Sequence, residues 1–315
     1  MISPAAAASQ SHSRSAQTGM VIMVIAMALV PIGDTLSKTL TAFLNPFEIA
    51  FWRFLLQMMV LGGVIVLLRR RLQTGPWGLL VLGGFSAAAT LGALIGAFVT
   101  MPIATAIAIF FVEPLILTVL SALFLGERTG WRRYIAVFVG LIGALIVIRP
   151  SWDVFGWTSL LPLVAATAFA TNAIVIRKLS RTMDSMSIQF WFALIALGMI
   201  GLVLMLTGGM ELFSFAEGFD ASGPWGLLGI MGLLSALTFF LISEAFRRAP
   251  ASTIAPFQYL EIVGAVALGY FVFGDFPDFW TWVGTAIILA SGLYVFQRER
   301  KQGQVPKSEA VHGTE

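Results

Sequence analysis

The 315-residue sequence contains no cysteine, which removes disulfides, thiolate nucleophiles and Cys-ligated metals at a stroke. Its two histidines, His12 and His312, stand in the polar ends, so the body of the chain has no imidazole for catalysis or metal ligation. Charge is scarce as well: 19 Lys and Arg with 16 Asp and Glu make 11% of the residues, where a soluble domain carries about 25%. No GxxxxGK[ST] phosphate loop occurs, so the chain brings no ATP motor of its own. What fills the sequence instead is apolar: 58% of residues are hydrophobic and the mean hydropathy is +0.90. A water-soluble globule of that composition would expose far more apolar surface than solubility tolerates. A cytosolic enzyme and a secreted domain are thereby excluded.

A transmembrane helix needs roughly 20 mostly apolar residues, and ten such stretches are read at 19–38, 47–68, 77–98, 104–125, 131–148, 156–176, 187–207, 225–246, 252–274 and 280–297. The Ala/Ser-rich residues 1–18 are expected to form a disordered cytoplasmic tail, and 299–315 a second cytoplasmic tail. Lys and Arg accumulate in cytoplasmic loops near span ends. With the N-terminus inside, the cytoplasmic segments collect Arg14, the run Arg69 to Arg71, Arg128, Arg132, Arg133, Arg177, Lys178, Arg181, Arg247, Arg248 and the cations from Arg298 onward. Only Lys38 and Arg149 fall outside, and Arg53 lies within the second span. Adding or removing one span would scramble this partition, so the pattern predicts ten spans with both termini cytoplasmic.

The hexapeptide GPWGLL occurs at 75–80 and again at 223–228, an offset of 148. The same offset pairs Gly84 with Gly232, Thr90 with Thr238, Ala97-Phe98 with Ala245-Phe246, Pro102 with Pro250, Thr105 with Thr253, Glu113 with Glu261 and Gly126 with Gly274. An offset held without a gap over some fifty residues is a duplication. Residues 19–149 and 150–298 therefore read as two repeats of five spans, and an odd span number makes equivalent helices cross in opposite directions. The loop charges agree: Arg69 to Arg71 precede the first GPWGLL, whereas Glu217 and Asp220 precede the second. The fold class predicted is an all-α polytopic membrane protein built of two five-helix inverted-topology repeats. That architecture recurs in secondary transporters, where two near-equivalent halves exchange conformations around a central site.

Three segments carry a family resemblance. FVEPLILTVLSALFLGERTGWRR (111–133), PFEIAFWRF (46–54) and FVFGDFPDFWTWVGTAIILASGLYVFQRE (271–299) resemble the EamA-type carriers of the drug/metabolite transporter superfamily. The resemblance runs from about 19 to 300 and implies a ten-helix carrier in a bacterial inner membrane. PFQYLE (256–261) and FGDFPD are most similar to branches that take up S-adenosylmethionine or riboflavin. The family holds exporters of metabolites and drugs too, so an exporter of the same fold is the alternative. A membrane-embedded enzyme and a passive channel are the rivals from other classes.

Ionisable groups at membrane depth are costly, roughly 2.5 to 3.5 kcal/mol each on insertion scales, and usually face a cavity or a partner. Glu113 and Glu261 are repeat equivalents near the middle of their spans, and are the candidates for substrate binding or proton coupling. A carboxyl there binds a cationic group when ionised and releases it on protonation; the alternative is a protonated carboxyl that bonds a neighbouring helix. Gln258, three residues before Glu261, shares its helical face, and Tyr259 does not. Pro114 and Pro256 each deprive a carbonyl one turn upstream of its donor. Asp34 and Arg53 come to similar depth across the first hairpin, as a structural ion pair or outer gate, with direct substrate contact the lesser alternative. Glu48 and Glu244 are expected to reach headgroups or water. Trp52 and Trp191, in Phe-Trp pairs of the second and seventh spans, are candidates for stacking a flat heterocycle. Ala136, Gly140 and Ala144, spaced by four, read as close helix packing and only weakly as a dimer face. The expected partners are a small-molecule substrate and the bilayer, with proton coupling open and the chain a monomer or weak homodimer. No cofactor, metal or nucleic acid is called for.

Overall fold

A computed structural model describes residues 4–125, 131–207, 224–248 and 257–303. Gly126, Arg128, Glu217, Asp220, Pro250, Thr253, Pro256 and the tail from 304 lie outside the described residues. Within them the chain is helical throughout, without strands: α1 (Pro4–Leu40), α2 (Pro46–Leu67), α3 (Trp77–Phe98), α4 (Ile103–Phe110), α5 (Glu113–Leu125), α6 (Trp131–Phe155), α7 (Leu161–Leu179), α8 (Ser185–Thr207), α9 (Trp225–Arg248), α10 (Leu260–Phe273) and α11 (Phe279–Gly303). A short 3-10 turn, Gly156–Leu160, joins α6 to α7. Helix α1 reaches back to Pro4, where the sequence predicts a disordered tail; the run Ala5 to Ala8 has the highest helix propensity of any residue type.

Among the described residues, seven helices or helix pairs are long and apolar enough to cross a membrane, and three shorter apolar helices, Tyr134–Ile148, Leu260–Phe273 and Phe279–Tyr294, accompany them. These fall on the ten apolar stretches of the sequence. The chain is a polytopic membrane protein, and the apolar side chains that remain exposed, such as Leu67, Leu206 and Phe271, suit a lipid surround.

Local chemistry sets the helix ends. Helix α2 starts at an Asn45 cap whose side chain accepts from the Glu48 amide at 2.9 Å, while Glu48 Oε2 accepts from the Asn45 amide at 3.1 Å. This is a capping box with Pro46 at the first helical position. Glu48 is thus buried at a helix start, not extended to headgroups as the sequence suggests. Helix α10 stops at Gly274, whose φ of +70° needs glycine; its amide and that of Asp275 bond back to Tyr270 and Gly269.

Helix packing follows the duplication. The offset of 148 relates α3 to α9, α5 to α10 and α6 to α11, while the Phe-Trp pairs relate α1 to α7 and α2 to α8 at an offset of 139. Exchanging equivalents turns the observed contact of α1 with α9 into that of α7 with α3, and the contact of α2 with α9 into that of α8 with α3. Likewise α5 on α7 becomes α10 on α1, and the pairs α2 with α8 and α6 with α11 map onto themselves. Side chains repeat the relation. Ile195 of α8 packs on Gly84 where a Cβ would stand 2.5 Å from its nearest atom, and Leu56 of α2 packs on Gly232 at 2.3 Å. In α6 and α11, Gly143 and Gly284 meet backbone to backbone, and the equivalent contact is a hydrogen bond from Ser291 Oγ to the Ala136 carbonyl. Gly140 takes Leu115 and Ser291 against it. The small-residue stripe of α6 is therefore occupied within the chain.

Candidate functional site: a small cavity with buried ionisable residues between the halves

The span that carries Glu113 is broken. Helix α4 ends at Phe110, Phe111 and Val112 form a turn, and α5 begins at Glu113 with Pro114 next, the position where proline costs a helix least. In the other half Tyr259 interrupts the helix just before Leu260 and Glu261. The breaks are equivalent, since Phe111 and Tyr259 are 148 apart. Their rings meet each other, centroids 5.4 Å apart and tilted by 44°, and the Tyr259 phenol lies over Gly292. Each break thus brings its glutamate to the start of a helix, beside the equivalent element of the other half.

Around this junction is a cavity of about 50 Å³ lined by Asp34, Arg53, Thr90, Phe110, Phe111, Glu113, Phe169, Thr238, Phe239, Gln258 and Glu261, with Met27, Val30, Leu91, Leu94 and Ile242 completing the wall. Five residues singled out from the sequence, Asp34, Arg53, Glu113, Gln258 and Glu261, converge here, and all are buried. Thr90 and Thr238, the equivalent threonines, face each other's half. Each hydroxyl donates to the carbonyl one turn back, Ser86 and Leu234 respectively, at 2.7 Å. Their protons are thereby committed, and only oxygen lone pairs remain for a ligand. Glu113 Oε1 and Gln258 Oε1 have no hydrogen-bond partner. The lining is rich in acceptors and poor in donors.

Asp34 and Arg53 are close but not tightly joined. Arg53 Nη1 stands 4.0 Å from Asp34 Oδ1 and donates instead to Ser37 Oγ at 3.2 Å, while the guanidinium lies 5.6 Å from the centre of the Phe239 ring. Arg53 Nε and Asp34 Oδ2 lack partners.

Trp52 and Trp191 are not among the lining residues. Trp52 packs edge-on against Trp225 at 5.4 Å. Trp191 packs edge-on against Trp77 at 5.2 Å and donates from Nε1 to the Gln73 carbonyl at 2.9 Å. Equivalent positions in a repeat need not face the interior. The rings at the cavity are Phe110, Phe111, Phe169 and Phe239, which the sequence offers no reason to select among 26 phenylalanines.

Two polar clusters flank the cavity. On one side a smaller space of about 20 Å³ shares Thr90, Leu91, Phe169 and Phe239 with it and adds Gln57, Asn172 and Gln189. Gln57 donates to Gln189 at 3.4 Å, Gln189 donates to Ser243 at 2.6 Å, and Asn172 donates to the Gly83 carbonyl at 2.9 Å. Beyond Ser243, Glu244 accepts from Ser185, Arg247 and Arg248, so it is bound within the protein. On the other side Lys38 donates to Asp275 Oδ2 at 2.7 Å and to the Met101 carbonyl at 3.2 Å, and lies 4.8 Å over the Phe273 ring. This contact ties α1, the α3–α4 loop and the α10–α11 loop together at the end where Asp34 is found. Among the described residues no group of three or more acidic or histidine side chains could hold a metal.

Helical spans enclosing a buried, acceptor-lined cavity at the junction of two equivalent halves define a membrane protein that handles a small polar molecule. Consistent with that class, residues 17–149 and 156–297 each match the EamA-like transporter family, and the chain belongs to it. It is 29% identical to an S-adenosylmethionine uptake transporter of Rickettsia felis over 90% of this chain and 94% of that protein. A riboflavin transporter of Vibrio cholerae is 33% identical over 65% of this chain and 66% of that protein. A pseudopaline exporter of Pseudomonas aeruginosa is 26% identical over 87% and 94%. A solved structure described only as the crystal structure of a protein superposes with a TM-score of 0.62 over 93% of this chain and 99% of that one, at 15% identity, and shares the fold.

Proposed function

We propose that this small-metabolite transporter is a secondary active carrier of the bacterial inner membrane that takes up S-adenosylmethionine or riboflavin by alternating access. On this reading ten spans form two inverted five-helix repeats with both termini cytoplasmic, and Glu113, Glu261 and Gln258 bind the substrate or a coupled proton. The observation that carries the reading is the cavity itself, lined by equivalent residues of both halves, Glu113 with Glu261 and Thr90 with Thr238. A two-fold set of groups around one central space presents nearly the same surface whichever half tilts, as a carrier needs and a channel does not.

The volume supports alternation. About 50 Å³ accommodates a few waters, whereas metabolite sites measure about 300 to 1,000 Å³. A space of that size holds no metabolite, and on this reading the halves part to admit one. Lys38 with Asp275 on one side, and the Gln57–Gln189–Ser243 chain on the other, are the polar contacts that such parting would break in turn.

Uptake of radiolabelled S-adenosylmethionine and riboflavin into proteoliposomes tests the proposal. Saturable flux that accelerates when the opposite compartment holds unlabelled substrate supports a carrier; flux that grows linearly with concentration contradicts it. Flux only out of preloaded vesicles would assign the chain to export, as in the Pseudomonas relative. Product formed in detergent would restore the enzyme.

A further inference from the structure

Resting on the transporter reading, we propose that Asp34 and Arg53 form a zwitterion clamp, in which Arg53 takes the α-carboxylate and Asp34 the α-ammonium of an amino-acid substrate, while Glu113 and Glu261 face a second positive centre on the same molecule. The first support is the geometry of the pair. A buried arginine and carboxylate kept only to neutralise each other close to hydrogen-bond distance, commonly about 2.7 to 2.9 Å and often in a two-pronged fork. Here they stand 4.0 Å apart, each with an atom left without a partner, although both are buried. An unmet donor and an unmet acceptor at that depth are expensive, and a bound zwitterion supplies the missing acceptor to one and the missing donor to the other.

The second support is asymmetry. At the offset that relates α1 to α7 and α2 to α8, Asp34 corresponds to Ala173 and Arg53 to Phe192. The pair is absent from the other half, so the fold of a repeat does not require it. Groups that are not two-fold symmetric give a substrate that is not two-fold symmetric a single orientation.

The third is the balance of charge and donors. One cation, Arg53, faces three acidic side chains, Asp34, Glu113 and Glu261, and the threonine hydroxyls offer only lone pairs. After a zwitterion has met Asp34 and Arg53, two acidic groups remain for a further cation, in a cavity that the rings of Phe110, Phe111 and Phe169 also line. The class selected is an α-amino acid whose side chain carries a second positive charge. The sulfonium of S-adenosylmethionine answers it. Riboflavin has neither an amino-acid head nor a cation and would leave Arg53 unpaired.

Binding of labelled S-adenosylmethionine to the purified full-length protein, competed by decarboxylated S-adenosylmethionine and by 5′-methylthioadenosine, tests the clamp independently of transport direction. In the wild type each competitor should be weaker than unlabelled S-adenosylmethionine by on the order of 100-fold, the scale of one lost charge-assisted hydrogen bond set. In the double variant Asp34→Asn/Arg53→Gln, which leaves no lone buried charge, decarboxylated and parent compounds should compete within about threefold of each other. Equal competition in the wild type, or a wild-type ratio retained by the double variant, overturns the clamp. If that variant loses its cooperative unfolding transition, the wild-type ratio decides alone. Binding of riboflavin without binding of S-adenosylmethionine overturns the clamp while the carrier reading stands; saturable flux of neither compound in proteoliposomes removes the carrier reading itself.

Discussion

Two pairs of ionisable residues meet in one cavity, and they relate differently to the duplication. Glu113 and Glu261 are repeat equivalents, each placed by an equivalent helix break beside Phe111 or Tyr259. Asp34 and Arg53 come from α1 and α2 of the first half alone, where the second half has Ala173 and Phe192. The symmetric pair lies where motion of either half would carry it alike, which suits a coupling or release step that must run from both sides. The asymmetric pair lies in the same cavity. On the proposed reading, duplication supplies the scaffold for alternation, and divergence between the copies supplies recognition.

The sharpest way to break this comparison is to remove one member of the asymmetric pair. Arg53→Met should strand Asp34 as a lone buried charge and lower stability by about 3 to 5 kcal/mol, whereas Asp34→Asn/Arg53→Gln should unfold near the wild-type temperature; thermal unfolding in detergent distinguishes them. Equal losses would make the pair a plain scaffold. Next, Glu113→Gln and Glu261→Gln should each reduce substrate flux by on the order of 100-fold in proteoliposomes, the scale of losing one charge-assisted bond. If only one of the two variants loses flux, function at the junction is as unequal as at the clamp.

The scaffold itself should respond symmetrically. Gly84→Val and Gly232→Val force side chains into Ile195 and Leu56 and should each cost about 1 to 3 kcal/mol by overpacking. Their unfolding temperatures should fall by similar amounts. The smallest effect is expected at Lys38→Ala, which removes a partly exposed pair with Asp275 worth under about 1 kcal/mol. Its stability should barely change, while a maleimide applied from the Lys38 side should alkylate Lys38→Ala/Thr90→Cys faster than Thr90→Cys alone.

The elements most legible in the sequence were those carried by charge and repetition. Glu113, Glu261, Asp34 and Arg53 declare themselves because an ionisable residue within an apolar run must find a partner, and four such residues have few places to meet. Gln258 follows from Glu261 by helical spacing. Thr90 and Thr238 stood in the repeat alignment, and that pairing was the signal by which they could have been assigned to the site. Trp52 and Trp191 show the limit of the same logic: repetition equates their positions but leaves helix rotation undetermined, and both face Trp partners away from the cavity. The Gln57–Gln189–Ser243 chain depends on the rotation of three helices against one another and has no local signature. Glu48 did have one, since Asn45-Pro46-Phe47-Glu48 spells a capping box.

The absence of cysteine makes the central claim directly measurable, because a single introduced thiol reports without background. Thr90→Cys and Thr238→Cys place one thiol on each half at the cavity, and Trp52→Cys places one away from it. Alkylation by a membrane-permeant maleimide, with and without S-adenosylmethionine, should slow at both cavity positions by a similar factor and remain unchanged at Trp52→Cys. Undiminished alkylation at both cavity positions under saturating substrate would contradict a shared central site between the halves.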